Sequence, residues 1–171
     1  HLLSAILTKA VGQSSLEFAT ENLFKPIGIT VHDWNRDPQG YHFGGTDMFF
    51  TIRDIARFGQ LYLDNGKLDG SQLIPLSWVD QSLKPSYTSR NGSWGDLDKI
   101  AYGWLWWLGE IQGRKVQMAL GHGGQFVFLF PELNLIVAAC SKSDVDWDVA
   151  DEQERGVLAV VANSILPAVG E

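Results

Sequence analysis

Any chemistry in this sequence has to come from a small set of residues. Cys140 is the one cysteine, so an internal disulfide is excluded. It closes the apolar run Leu135-Ile136-Val137-Ala138-Ala139-Cys140 and reads as a small buried hydrophobe rather than a reactive thiol. His32-Asp33 and His42 are metal-ligand types, but their spacing fits no zinc pattern. No second cysteine or His-Glu pair accompanies them, so they read as structural loop residues and no metal site is expected. Trp104, Trp106 and Trp107 could stack on a substrate, although aromatics in a strand more often build core and sheet surface. Glu17, Asp54 and Asp151 stand where helix-terminus charges belong. Asn91-Gly92-Ser93 is a glycosylation triplet with meaning only in a secreted eukaryotic protein. Gly121-His122-Gly123-Gly124 is, on the plain reading, a glycine-rich turn between strands.

These residues are set in an ordered succession of elements. His1 to Val11 has helical period, with Leu3, Ile6, Leu7 and Ala10 on one face. No cap residue precedes it, and the expectation is a chain cut from a longer protein. Gly12 ends this helix, and Ser14 with Glu17 forms a capping box for a second one reaching about Leu23. A long loop follows from Ile29 to Thr46. Thr51 and Asp54 form another capping box for a helix ending at Asn65-Gly66. Pro75 opens a short helix, and Ser86 to Asp98 reads as a surface loop.

The period then changes. Tyr102–Leu108, Lys115–Leu120, Gln125–Phe130 and Leu133–Cys140 are short apolar runs joined by Gln112-Gly113, the glycine cluster and Pro131-Glu132. Connections this short join antiparallel neighbours. A last helix runs from about Asp151 to Leu166 with an apolar stripe. The expected fold is α+β, an antiparallel sheet with flanking helices. Residues 1–99 are mainly helix and loop, and 100–171 are strands and a C-terminal helix.

Composition narrows the functions. The 171 residues are 45% hydrophobic and 19% charged, with a formal charge of −7, a globular balance. The acidic balance and the scattered Lys and Arg exclude a nucleic-acid partner. No apolar run has the roughly 18 residues of a membrane span, and no signal peptide opens the chain.

Several stretches resemble one family. Phe43-Gly44-Gly45-Thr46, Thr51 to Leu63, Asn65-Gly66-Lys67-Leu68-Asp69-Gly70, Gln72-Leu73-Ile74-Pro75, Tyr102 to Trp107 and Gly121-His122-Gly123-Gly124-Gln125 follow the order found in β-lactamase-like serine hydrolases. That family includes class C β-lactamases, D,D-peptidases, amidases and esterases. The resemblance implies its C-terminal portion, with a β-lactamase/transpeptidase-like fold left incomplete by the absent N-terminal part.

The family's machinery is a Ser-x-x-Lys pair, a Tyr-x-Asn or Tyr-x-Ser pair and a Lys-Thr-Gly or His-x-Gly triplet. No serine here has a lysine three residues on. Tyr87-Thr88-Ser89 has the second pattern but lies after the Asp54 helix, the wrong place, and reads as surface loop. His122-Gly123-Gly124 matches the third.

By resemblance, Gln125 N–H is a backbone oxyanion donor, His122 stands at the first triplet position, and Gly123 and Gly124 line the substrate. The glycine-turn reading stays open beside this one. The implied function is a fragment, itself inactive, of a hydrolase cleaving an amide or ester through an acyl-serine. The competing function is a non-catalytic binding or scaffold protein that keeps the fold. The residues upstream of His1 discriminate the two. No cofactor is called for. The implied partners are a small-molecule or peptide substrate and, through an open sheet edge at Leu133–Cys140, a second copy. The family implies a periplasmic or extracellular setting.

Overall fold

A computed structural model describes residues 1–89 and 92–169. Asn91 of the glycosylation triplet lies outside them. The chain divides into two compact units, His1–Phe58 and Gly59 onward.

In the first unit, α1 (Leu2–Val11) ends on Gly12 in the left-handed region. Only glycine takes that conformation without steric cost, which is why the helix stops there. The one residue α1 buries is Ser4, whose Oγ lies 2.7 Å from Ser15 Oγ. Leu3 and Ile6 of its apolar face are 67% and 52% exposed. α2 (Ser15–Ala19) opens on the Ser14/Glu17 capping box and runs on as a π-helical turn, Thr20–Phe24. The long loop carries a two-stranded ribbon, β1 (Asp33–Trp34) with β2 (Met48–Phe49). Trp34 and His42 pin it. His42 Nδ1 donates to Trp34 O at 2.8 Å, and Trp34 Nε1 donates to Phe43 O at 2.6 Å.

α3 (Ile52–Leu63) starts where Thr51 Oγ1 accepts from Asp54 N at 3.2 Å and donates to the Asp54 carboxylate at 2.6 Å. Two bonds at one helix start satisfy donors that would otherwise be orphaned.

The second unit is built on a six-stranded antiparallel sheet of β5 (Tyr87–Thr88), β6 (Leu97–Tyr102), β7 (Trp107–Ile111), β8 (Arg114–Gly121), β9 (Gln125–Phe130) and β10 (Leu135–Ala139), in spatial order β10-β9-β8-β7-β6-β5. Beside it are the ribbon β3 (Lys67–Leu68) with β4 (Ser71–Gln72) and the short helix α4 (Leu76–Ser82). The last helix, α5 (Trp147–Val160), continues through a π-helical turn, Val161–Ile165, into Leu166–Val169.

The sequence of β9 explains the layering. From Phe126 to Phe130 it has no polar residue, so both faces must be buried. Phe126, Phe128 and Phe130 face the core shared with Leu158, Val161 and Leu166. On the opposite face, a Cβ at Gly59 of α3 would stand 2.8 Å from Val127 and 3.1 Å from Leu129, so glycine lets that helix approach closely. Antiparallel sheet with helices on both faces is the α+β architecture expected.

Three local readings are corrected. Tyr102–Leu108 is not one strand. β6 ends at Tyr102 and β7 begins at Trp107, with a turn between in which Leu105 has φ of 65°. Gly103 is pressed against the Ser82 carbonyl there and would clash with any Cβ. Alternating aromatics hid the turn because each flank has the composition of a strand. Tyr87 and Thr88, expected in a loop, form edge strand β5 by pairing with Tyr102 and Ala101. Cys140, expected buried, is exposed, because β10 ends at Ala139 and the thiol belongs to the segment leaving the sheet.

Candidate active site

The β8–β9 turn holds every residue singled out for acyl chemistry. Gly121 and Gln125 face each other as the last pair of the ladder, leaving His122-Gly123-Gly124 as the loop. Gly124 N–H donates to Gly121 O at 3.3 Å, and Gly123 has φ of 77°. A type II turn demands positive φ at its third position, which is a sequence-level reason for Gly123. Gly124 follows at 92°. A Cβ on Gly123 would stand 2.6 Å from Lys142 O, and one on Gly124 would stand 3.1 Å from Ser141 Oγ. Both glycines are therefore required by turn geometry and by the close passage of residues 141–142.

The turn is fastened to its surroundings by side chains. Glu154 Oε1 on α5 accepts from Gly123 N–H at 2.8 Å. Its neighbour Gln153 donates through Nε2 to Gly123 O at 3.1 Å and to Lys142 O at 2.9 Å. Gln125 Nε2 donates to Ser141 O at 2.6 Å. His122 Nε2 donates to Val145 O at 2.9 Å, and its ring meets Trp147 edge-on at 4.6 Å between centroids. A carbonyl can only accept, so Nε2 carries the proton. His122 Nδ1 is buried and has no partner among the described residues.

The N–H groups of the loop are thus unequal. Those of Gly123 and Gly124 are committed, whereas His122 N–H has no hydrogen-bond partner among the described residues. Sequence reasoning singled out the turn but missed Gln153 and Glu154, which lie some thirty residues away on another element.

The other candidates lie elsewhere. Trp106 is 4% exposed and packs on Tyr62, with ring centroids 4.6 Å apart, while Trp104 and Trp107 are 43% and 36% exposed. Hydrogen bonds from Thr51 and the nearby Arg57 hold the Asp54 carboxyl below the usual carboxylate range. Those from Ser14 do the same for Glu17. Asp151 is not a helix-terminus charge: Asp146 is the cap of α5 and accepts from Val149 N at 3.0 Å. Asp151 sits a turn later, its carboxyl lowered first by Arg155 and then by Trp94 Nε1, at 2.6 and 2.9 Å. Desolvation raises the Cys140 thiol above its ordinary value despite its exposure, which disfavours the nucleophilic thiolate.

The sequence matches the family profile described as Beta-lactamase over residues 1–161. The chain belongs to the beta-lactamase family. It is 26% identical over 133 residues to the 6-aminohexanoate-dimer hydrolase of Paenarthrobacter ureafaciens, covering 75% of this chain and 34% of that protein. It is 23% identical to an uncharacterized protein of Alkalihalophilus pseudofirmus, over 84% of this chain and 50% of that one. The chain thus spans a third to a half of the length of these relatives.

Among solved structures it resembles a Bacillus anthracis protein assigned as a 6-aminohexanoate-dimer hydrolase. That match has a TM-score of 0.67 and 23% identity, and covers 93% of this chain and 42% of that one. The octameric penicillin-binding protein homologue of Pyrococcus abyssi gives a TM-score of 0.69 and 17% identity, covering 98% and 41%. These two likenesses establish the beta-lactamase/penicillin-binding-protein fold.

Proposed function

We propose that this chain is the C-terminal part of a serine hydrolase that cleaves an amide or ester bond through an acyl-serine intermediate. In this reading the β8–β9 turn is one wall of the acyl site. Gln125 N–H, at the last pair of the β8–β9 ladder, is an oxyanion donor, His122 N–H is a second, uncommitted donor, and Gly123 and Gly124 let the backbone run beside the substrate. The chain has no Ser-x-x-Lys, so the nucleophile and its base come from outside it, and the chain alone is inactive. The name of one relative, a 6-aminohexanoate-dimer hydrolase, favours an amide as substrate.

The observation that carries this reading is the fixed backbone of the turn. Oxyanion stabilisation needs donors held in place before charge develops. Here bonds from α5 and to residues 141–145 immobilise a turn that still has an uncommitted N–H. The test is to express the full-length protein and assay it on 6-aminohexanoate dimer, a chromogenic cephalosporin and a nitrophenyl ester. The nucleophilic serine is then trapped with a fluorophosphonate. Turnover with labelling of one serine outside this chain is expected, and a protein neither active nor labelled refutes the reading.

Self-association is proposed for the same chain. β10 is the end strand of the sheet, paired with β9 alone among the described residues. It has no lysine or proline to discourage a second strand.

A further inference from the structure

Helix α5 presents an acid, Glu154, to the β8–β9 turn. Glu154 borders a cavity of about 260 Å³ walled by Trp94, Trp107, Met118 and Leu120. No Lys, Arg or His pairs with Glu154 among the described residues. Its carboxylate accepts from the backbone N–H of Gly123, at 2.8 Å. The preceding residue, Gln153, holds the other end of the same glycine, its carbonyl, at 3.1 Å. One glycine of the turn is therefore gripped at both N–H and C=O by consecutive side chains of one helix. The second bond of Gln153, to Lys142 O at 2.9 Å, sets the turn against the neighbouring segment.

We infer that Gln153 and Glu154 are positioning residues for hydrolysis: they fix the two peptide planes that flank Gly123 and, through them, hold in place the adjoining backbone that carries the N–H groups of His122 and Gln125. The chemistry supports this division of labour. Gly123 has φ of 77° and no side chain, so nothing of its own restrains it. A bond to an ionised acceptor is shorter and stronger than a neutral one, and a primary amide supplies the complementary donor. Their role in the reaction rests on the turn's being part of the acyl site.

The test has two arms. In the full-length protein, the Gly123 amide is followed by ¹H–¹⁵N NMR in wild type, Glu154→Leu and Glu154→Gln. A carboxylate-bonded amide proton lies downfield. It is expected to move upfield in Glu154→Leu and to be largely retained in Glu154→Gln, whose amide oxygen still accepts. An unmoved Gly123 signal in the leucine variant overturns the clamp.

In the full-length protein, Glu154→Leu is expected to lower kcat about 10- to 100-fold with KM little changed, the scale of a small misplacement of a catalytic group. Glu154→Gln is expected to recover most of it. A purely packing role predicts instead lost stability with kcat intact, which also overturns the inference. If the leucine variant does not fold, Gln153→Leu gives the same two readings through the Gly123 carbonyl. An active wild type with unaffected variants refutes the clamp while leaving the hydrolase assignment standing. An inactive wild type refutes that assignment, and with it the clamp's catalytic role.

Discussion

Two glycines with nearly the same backbone conformation allow the strain in the turn to be measured against an internal control. Gly123 has φ of 77° and Gly113, in the β7–β8 turn, has 74°. A Cβ at Gly113 meets nothing within 4 Å, whereas one at Gly123 stands 2.6 Å from the Lys142 carbonyl oxygen. Alanine at either position incurs the left-handed penalty of about 1–2 kcal/mol. At Gly123 the contact is with backbone, so the turn or residues 141–143 must move. That shift strains the two Gln153 bonds, each contributing about 0.5–1.5 kcal/mol.

Gly123→Ala should therefore cost about 2–5 kcal/mol and Gly113→Ala about 1–2. At about 2–4 °C per kcal/mol for a chain of this size, the melting temperatures should separate by several degrees. Urea unfolding followed by the fluorescence of the seven tryptophans gives the same comparison as a difference in midpoints. Equal costs for the two alanines would refute the claim that residues 141–142 hold the turn. A Gly123→Ala protein within about 0.5 kcal/mol of wild type would refute the strained geometry altogether.

Further outcomes follow from the same structure. Thr51 bonds depress the folded-state pKa of Asp54, so the stability this carboxylate supplies is present above its unfolded value of about 3.9 and lost as pH falls through the lower folded value. Melting curves between pH 2 and 7 should show that Asp54→Asn flattens this acid limb; an unchanged limb contradicts the assignment. Cys140 is exposed with a raised pKa, so its modification by a disulfide reagent should rise with pH, half-maximal above the usual thiol value of about 8.5. A neutral-pH plateau contradicts this. Light scattering after size-exclusion chromatography should show the isolated chain as a dimer or larger, and a stable monomer with slow amide exchange throughout β10 contradicts the open edge.

What the sequence revealed follows from the range of the interactions involved. Helix starts at Ser14 and Thr51 were legible because a cap is a bond between residues three apart, and the end at Gly12 because glycine takes the left-handed conformation. Hairpins were legible where the turn has its own chemistry: Gln112-Gly113 both take positive φ, as a two-residue type I′ turn requires. β9 ended where its unbroken apolar run did and began one residue before it. The turn after Tyr102 escaped because its cause is the Ser82 carbonyl, twenty residues back. Cys140 escaped because apolar composition does not show where a strand stops. Within the site, His122 to Gln125 were found by motif. The helix residues that hold them were not, since no local pattern links Glu154 to a glycine thirty-one positions earlier.

The central claim is that the β8–β9 turn forms part of an acyl site. The most direct measurement is a crystal structure of the full-length protein acylated, or trapped with a boronate, at its nucleophilic serine. The oxyanion-equivalent oxygen should lie about 2.7–3.1 Å from the backbone N–H of Gln125 or His122, with Gly123 N–H still on Glu154. An adduct whose oxygen is held by donors elsewhere, away from residues 121–125, would contradict the account.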